Sequence, residues 1–345
     1  MNDMDTSPNL FLERLLNGEH LVEDEAQQLM LLLTREDMAP ALAGSLLAAL
    51  RAKGETAEEV RGFAKAMYAL AHEVHLPPGL AAADSAGTGG DSSGSYNLST
   101  GTALLAAACG VPIIKHGNRS VSSKSGSADV LQVLGVPLAP DANTALHCLQ
   151  SCGFAFLFAP FFHPAMKAVA PVRAAMGVRT VFNFLGPLAN PAAPPYYLLG
   201  AFDMPHARLL ADSLSGLPLE RAFVVHGEPG WDEATPCGSF ALFDVRQGHV
   251  EESRRDPADF GLPRCAPDDL AGGDAEHNAA ALEAVLRGEE QGAHRNALLL
   301  GTGLLLEVTG KVADLPAGIE QARATLEVGN GASVLDRLRA FADEL

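Results

Sequence analysis

The chain has 345 residues, of which 48% are hydrophobic and 19% charged, and its formal net charge is −18. This length favours two domains, and the composition is sufficient to fill a large globular core. The negative charge argues against general binding to nucleic acid or to anionic membranes, and no run of about 18 apolar residues is present to span a membrane.

The first part of the chain, residues 7–75, has the pattern of consecutive helices. Ser7-Pro8 is typical of a helix start, and Thr56 with Glu59 forms the sequence of a capping box. The apolar residues that follow recur at helical spacing and predict one buried face. We expect this region to serve packing or oligomerisation, because nothing in it resembles a catalytic motif.

After Pro77-Pro78-Gly79 the pattern changes to short apolar runs, glycine-rich turns and helices in alternation. This alternation predicts an α/β fold with a mostly parallel central sheet and surrounding helices. The interpretation beyond residue 275 is helix, apolar run, helix. Strands are predicted at 111–114, 154–158, 196–202 and 221–227, and helices at 99–109, 129–134 and 141–152.

Residues 84–110 contain a glycine-rich turn, GTGGD, followed by a helix that Ser99-Thr100 is predicted to cap. Free N–H groups and the positive end of the helix dipole make such a turn a candidate anion site. The alternative is a tight turn between two elements without a ligand. Asp91 and Ser99 favour the first interpretation, since an acid and a hydroxyl beside a phosphate site can hold Mg²⁺.

Three cations, Lys115, Arg119 and Lys124, lie in one hydroxyl-rich run after the predicted strand at 111–114, and no acid occurs before Asp129. Open α/β sheets bind ligands beyond the carboxyl ends of their strands. The alternative is a solvated loop, in which charges of both signs are usual. The composition favours a multiply charged anion such as a phosphate ester.

Two further segments carry candidate groups. In residues 159–191, Arg173 follows His163 by ten residues, and a guanidinium can pair with a carboxylate in a two-pronged geometry. The alternative for Arg173 is an ordinary surface charge. Asp232 and Glu233 form an acidic pair on a turn, which is either a Mg²⁺ ligand pair or a solvated turn.

The five cysteines are an odd number and have no C-x-x-C spacing, which is typical of a reduced cytoplasmic protein. Cys148 and Cys152 are one helical turn apart, but no further ligand follows at metal-site spacing. We therefore favour buried free thiols over a metal pair.

Taken together, these segments resemble the anthranilate phosphoribosyltransferase family over nearly the whole chain. Five of them occur in the family's order and approximate spacing. They are GTGGD (87–91), NLST (97–100), KHGNRSVSSKSGSADVL (115–131), HPAMK…PVR…RTVFN-x-LGPL-x-NP (163–191) and G-x-DE (230–233).

The resemblance implies a helical domain at 1–76, with a returning segment near 164–190, and an α/β phosphoribosyl-transfer domain at 77–345. It implies a homodimer formed through the helical domain. The implied reaction, the second step of tryptophan biosynthesis, joins anthranilate to 5-phosphoribosyl 1-pyrophosphate (PRPP) with Mg²⁺. The products are N-(5-phosphoribosyl)anthranilate and pyrophosphate.

The resemblance also implies the site residues, although it assigns no general base. A PRPP site would comprise Gly87, Gly90, Asp91, Ser95, Asn97, Leu98, Ser99, Thr100, Lys115, His116, Gly117, Asn118, Arg119, Ser120, Val121, Ser122, Ser123 and Ser127. An anthranilate site would comprise Gly87, His116, Asn118, His163, Arg173, Gly186 and Pro187. The Mg²⁺ ligands would be Ser99, Asp232 and Glu233.

A paralogue that uses another aromatic amine as acceptor stays open at the level of sequence, and so do two other functions that share this fold. A pyrimidine nucleoside phosphorylase would use inorganic phosphate, and a non-catalytic relative would bind nucleic acid. The acidic charge and the Asp-Glu pair argue against the second, and the 87–91 and 115–131 runs fit the transferase better than the first.

Overall fold

The computed structural model describes residues 7–120 and 124–345. It has a small helical part followed by a larger α/β part, which confirms the predicted fold class. Val121, Ser122 and Ser123, which were assigned to the PRPP site, lie outside the described residues. No helix in the described ranges is long and apolar enough to cross a membrane.

Four helices form the first part of the chain. Ser7 precedes the first of them, and Thr56 caps the fourth, because its hydroxyl accepts from Glu59 N while the Glu59 carboxylate accepts from Thr56 N. The predicted start and capping box are both confirmed. The helices are α1 (Pro8–Leu16), α2 (Glu23–Leu33), α3 (Pro40–Lys53) and α4 (Ala57–Leu70).

The α/β part is built on a seven-stranded sheet with the order β3-β2-β1-β4-β5-β6-β7. The first five strands are parallel, while β6 and β7 form an antiparallel hairpin at one edge. The strands are β1 (Ala83–Gly87), β2 (Ile113–Gly117), β3 (Phe154–Phe158), β4 (Tyr196–Gly200), β5 (Arg221–Gly227), β6 (Phe240–Arg246) and β7 (His249–Arg255).

Helices connect and cover these strands, as a parallel sheet requires. They are α5 (Leu98–Ala108), α6 (Ser127–Val133), α7 (Ala142–Cys152), α8 (Ala159–Phe162), α9 (Met166–Met176), α10 (Phe182–Leu185), α11 (Met204–Leu214), α12 (Ala275–Leu286), α13 (Ala293–Val308), α14 (Leu315–Glu327) and α15 (Asn330–Asp343).

The two faces of the sheet belong to two separate apolar cores, because alternate side chains of a strand point to opposite faces. On β4, Leu199 lies in the core that also contains helices α1 to α4, whereas Leu198 lies in the core with α5 and α13. On β5, Val224 and Phe223 divide in the same way. The sheet therefore joins the helical part to the rest of the chain.

Helix α9 packs against α3, and its Val169 is buried in the same core as α2 to α4. The segment that follows α9 also returns to that core through Phe182 and Leu185. These contacts support our proposal that 164–190 belongs with a helical domain ending at residue 76.

The predicted strands match β3 and β5, but the strand predicted at 111–114 begins at Ile113 and extends to Gly117. Lys115 and His116 therefore lie inside a buried strand rather than in the loop after it. Helix α5 begins at Leu98, so its N-cap is Asn97 and not the predicted Ser99-Thr100. The hairpin β6–β7 was missed.

Candidate active site

The glycine-rich turn leaves β1 at the carboxyl edge of the parallel strands. Gly89 and Gly90 have φ values of 66° and 74°, a conformation that side chains with a Cβ rarely adopt. The Gly89 N–H donates to Asp232 Oδ2 over 2.6 Å. The turn is therefore held directly against the acidic loop, although 143 residues separate the two partners.

Three glycines at the ends of parallel strands make room for that acidic loop. A Cβ at Gly87 of β1 would collide with the Asp232 carboxylate, and one at Gly200 of β4 would collide with the Asp232 carbonyl. A Cβ at Gly227 of β5 would collide with the Glu233 carbonyl. Gly200 and Gly227 were not assigned to the site from sequence, although they end β4 and β5 in the structure.

Lys115 projects from β2 into the space between the glycine turn and the acidic loop. It is buried, and its Nζ donates to the Ser85 carbonyl and to Ser99 Oγ, the latter over 3.3 Å. Burial lowers its pKa, while the carboxylates of Asp84 and Glu233 act in the opposite direction. An ammonium group in this position is well placed to meet an anion at the sheet edge.

Three carboxylates, those of Asp91, Asp232 and Glu233, lie near one another, and Glu233 also attracts Lys115. The Asp232 backbone N–H donates to Asp91 Oδ2 over 3.2 Å, and the Ser99 backbone N–H is hydrogen-bonded to Glu233. Burial, Asp91 and Glu233 raise the pKa of Asp232 well above its usual range, and burial raises that of Glu233 to about 7. This crowding of buried negative charge is what a hard divalent cation with oxygen ligands relieves.

A ready-made cage for a metal is not present: within 7–120 and 124–345, no group of three or more His, Cys, Asp or Glu side chains is arranged to hold an ion. Mg²⁺ commonly takes only one or two carboxylates and completes its shell with water and substrate phosphates. The acid pair with Ser99 fits that kind of site.

Asn97 is fixed from behind by Asn278, which is buried on α12. Asn278 Nδ2 donates to Asn97 Oδ1 over 2.8 Å and to Ser125 Oγ over 2.9 Å. These contacts join the start of α5 to Ser125, which lies in the hydroxyl-rich run after β2. Nearby, Thr100 Oγ1 is buried without a hydrogen-bond partner among the described residues. Asn278 was not assigned from the sequence.

The polar loop after β2 contains further residues that were predicted to bind PRPP. Asn118 and Arg119 are exposed, Gly117 and Ser120 are half-buried, and Ser127 Oγ donates to the Asn118 carbonyl over 3.3 Å. The Arg119 guanidinium is turned towards α6, where it pairs with Asp129 at 2.8 Å and donates to Gln132 at 2.6 Å.

Ser95 and Leu98 flank the start of α5. Ser95 Oγ accepts from Ser93 Oγ over 3.1 Å, and its backbone bridges to Ala271. The Leu98 side chain is buried in the core beneath the helix start. Ser95 therefore has a hydroxyl at the start of α5, whereas the Leu98 side chain serves packing.

His116 and His163 form the other side of the site, with ring centroids 5.1 Å apart. His116 Nδ1 lies 3.3 Å from the Gly186 carbonyl, which places the Gly186-Pro187 loop beside this pair, and His163 Nε2 lies 2.8 Å from the Ala189 carbonyl. Burial lowers the pKa of His116 to about 3 and lowers that of His163, so both imidazoles are neutral at pH 7. Their second ring nitrogens, His116 Nε2 and His163 Nδ1, are buried and have no hydrogen-bond partner in the described part of the chain.

Two arginines follow on the segment after His163. The half-buried Arg173 guanidinium lies 5.0 Å from the Phe182 ring centroid, and Arg173 forms no ion pair with any described residue. Arg179, to which the sequence assigned no role, lies 4.3 Å from the Phe202 ring centroid and donates to the Gly90 carbonyl. Arg179 thus stabilises the glycine turn through the Gly90 carbonyl.

The chain matches two family models along most of its length. One describes a glycosyl transferase family helical bundle domain and covers residues 10–71, and the other describes the a/b domain of that family and covers 80–332. An anthranilate phosphoribosyltransferase from Rubrobacter xylanophilus is 44% identical over 94% of this chain and 95% of its own length. The chain belongs to the anthranilate phosphoribosyltransferase family.

Solved structures agree with this membership. An anthranilate phosphoribosyltransferase from Thermus thermophilus superposes with a TM-score of 0.90 at 40% identity, covering 96% of this chain and 99% of the other. One from Saccharomyces cerevisiae, in complex with PRPP and Mg, superposes with a TM-score of 0.89 at 27% identity, covering 100% and 99%. These relatives support the transferase interpretation over the phosphorylase and nucleic-acid-binding alternatives.

Proposed function

We propose that this protein transfers the phosphoribosyl group of PRPP to the amine of anthranilate, giving N-(5-phosphoribosyl)anthranilate and pyrophosphate. One observation carries the proposal: at the carboxyl edge of the sheet the glycine turn is hydrogen-bonded to the acidic loop, and Lys115, hydrogen-bonded to Ser99, is attracted by Glu233 of that loop. The yeast relative with bound PRPP and Mg supports the same substrate and cation.

The donor side of the site, formed by the glycine turn at 87–91, Lys115 and the loop that follows it, would bind PRPP and stabilise the leaving pyrophosphate. When the bond to the anomeric carbon breaks, negative charge grows on the leaving group and positive charge on the ribose. Lys115 would be a preorganised donor for that negative charge, together with the backbone N–H groups of the glycine turn other than those of Thr88 and Gly89, which already donate to Gly200 and Asp232. The predicted donor residues of the turn and of the 115–127 loop would surround the rest of PRPP.

Mg²⁺ would be held by Ser99, Asp232 and Glu233, next to the donor phosphates. When bound, it would neutralise charge that develops on the leaving group. Asp91 is not included among the Mg²⁺ ligands, because both of its carboxylate oxygens already accept hydrogen bonds, from Ser93 and from the Asp232 backbone. We keep it as a residue of the PRPP site.

The acceptor side would hold anthranilate near the ribose. Arg173 has no anionic partner among the described residues and would pair with the anthranilate carboxylate. The neutral imidazoles of His116 and His163 would form an uncharged wall of the pocket beside the aromatic amine. We assign no general base, since an aryl amine is already unprotonated at pH 7 and alignment with the ribose would provide much of the acceleration.

The assembly and the location are also proposals. Leu10, Leu16, Val22 and Leu31, on or next to α1 and α2, are exposed apolar residues, which supports a homodimer formed through the helical domain. Within the described residues all five cysteines are free thiols, which supports a reducing, cytoplasmic environment.

Loss of anthranilate fluorescence tests the reaction directly. We expect the signal to fall only when PRPP and Mg²⁺ are both present, with pyrophosphate released in equal amount. A pyrimidine nucleoside with inorganic phosphate is the matched control reaction. Cleavage of the nucleoside, with no consumption of anthranilate, would replace the proposal with a phosphorylase.

A double variant, Asp232→Asn with Glu233→Gln, tests the metal assignment. Removing both charges should raise the Mg²⁺ concentration needed for half-maximal rate by about 10-fold or more. The control is Glu251→Gln with Glu252→Gln, two adjacent exposed acids on β7. An unchanged Mg²⁺ titration in the first variant would show that the acid pair does not bind the cation.

A further inference from the structure

Asp84, the second residue of β1, is a fully buried acid beneath the site, and no motif assigned it a role. One of its carboxylate oxygens accepts from Asn190 Nδ2 over 2.8 Å. The backbone N–H of His116 approaches the two carboxylate oxygens at 3.4 and 3.5 Å. A single side chain on the middle one of the five parallel strands therefore contacts both β2 and the segment at 186–190.

The contact with Asn190 extends to the acceptor side. Asn190 is fully buried, and its amide also donates to the Ile114 carbonyl over 2.8 Å while its oxygen accepts from Ala192 N. The same loop supplies the Gly186 and Ala189 carbonyls that contact the two site histidines. The position of that loop, and with it the orientation of both imidazoles, thus depends on a partner of Asp84.

On the donor side, Lys115 Nζ donates to the carbonyl of Ser85, the residue that follows Asp84, so the ammonium is held close to Asp84 along β1. The Lys115 ammonium is attracted by two carboxylates, Asp84 below the site and Glu233 in the acidic loop. Burial raises the pKa of Asp84 to about 6, and Lys115 and then Asn190 oppose the rise, so these two partners favour the ionised form of Asp84. If Glu233 binds the cation, Asp84 is the counter-charge that stays with Lys115 inside the sheet.

We propose that Asp84 is a positioning residue for both substrates, holding the Lys115 ammonium on the donor side and, through Asn190, the histidine pair on the acceptor side. This inference rests on the proposed function. It differs from the role of Arg173, which concerns the acceptor alone, and from the acid pair, which concerns the cation.

The test is Asp84→Asn, which keeps the shape of the side chain and removes its charge. We expect KM for PRPP and KM for anthranilate each to rise by about 10-fold or more, because both sides lose their alignment. The matched control is Glu59→Gln: Glu59 is equally buried and pairs with Lys53 at 2.8 Å in the helical domain. That control should lower the melting temperature and leave both KM values unchanged.

A purely structural role for Asp84 predicts that Asp84→Asn behaves like the control, with a lower melting temperature and unchanged KM values, and this result would overturn the proposal. Should Asp84→Asn fail to fold, Asn190→Ala separates the two sides. It should raise KM for anthranilate and leave KM for PRPP unchanged. An Asn190→Ala enzyme with both KM values unchanged would also overturn the proposal.

The pairing with Lys115 is tested in the Lys115→Met background. There the effect of Asp84→Asn on the PRPP affinity, measured by calorimetry with Mg²⁺, should vanish, because the partner is already gone. An undiminished effect contradicts the pairing. If the parent protein neither binds PRPP nor consumes anthranilate, the proposed function fails. The parent, the two single variants and the double variant then report the pairing of Asp84 with Lys115 through their unfolding free energies. Additive changes in those free energies would refute the pairing.

Discussion

At the scale of single residues, Arg173 is a partly buried cation without an ion-pair partner among the described residues. Its guanidinium is half-buried against the Phe182 ring, and burial lowers its pKa because no described acid pairs with it. An unpaired, partly desolvated cation interacts more strongly with an incoming carboxylate than an exposed one does. The position therefore favours recognition of the acceptor rather than a structural ion pair.

We expect Arg173→Ala to raise KM for anthranilate by about 10- to 100-fold, the range for one charge-assisted hydrogen bond, and to leave KM for PRPP nearly unchanged. Steady-state kinetics with each substrate varied in turn measures both constants. Lys167→Ala is the control, since it removes an exposed cation from the same helix. Equal changes in both constants for Arg173→Ala would contradict the assignment of Arg173 to the anthranilate carboxylate.

At the scale of elements, an ion-pair cluster joins α12 to α15. Glu283 on α12 receives two hydrogen bonds of 2.9 Å from Arg339 on α15, and two more, of 2.9 and 2.7 Å, from Arg287. The hydrogen bonds from Arg339 lower the pKa of Glu283 from 4.5 to about 2. The folded state therefore favours the ionised form, and the cluster stabilises the helix pair only while Glu283 is charged.

Glu283→Gln should reduce the free energy of unfolding by about 1 kcal/mol at pH 7. The lowered pKa fixes the sign: the stabilisation is complete above about 4.5 and disappears as the pH falls towards 2. The difference between parent and variant in urea unfolding should therefore shrink over that interval. Glu276→Gln, an exposed acid on the same helix, is the control; a gap that persists to low pH would contradict the pKa argument.

At the scale of the whole molecule, the exposed apolar residues are unevenly distributed. Leu16 is 66% exposed at the end of α1, and Val22, just before α2, is 56% exposed. In a twofold interface each residue acts twice, so a charge introduced at one position would be repeated across the dimer axis. The helical part is therefore where a single substitution should change the assembly.

Leu16→Glu should convert a dimer into a monomer, measured as a halved mass by light scattering coupled to size exclusion. Val328→Glu is the control: Val328 is 70% exposed, but it lies between α14 and α15, away from the helical part. A parent protein that is already monomeric, or a Leu16→Glu protein that stays dimeric, would exclude this interface.

Most of the elements could be predicted because they depend on neighbours in sequence. The Thr56 capping box, the strands at 154–158 and 221–227, and the glycine-rich turn follow from local propensity and periodicity. The hairpin β6–β7 could not be recognised in this way: its last strand is largely exposed and rich in charge, HVEESRR, so it lacks the apolar run that marks a buried strand.

The sequence by itself determined the family and the α/β architecture, and it supplied a list of polar groups that we propose for the site. Only the tertiary structure decided which groups meet: Asp84 with Asn190, Gly89 with Asp232, and Asn97 with Asn278. These partners are 106, 143 and 181 residues apart, and parallel strands bring their carboxyl ends together regardless of that separation. Local patterns specify each strand and turn, whereas the order of strands in the sheet specifies the contacts between them.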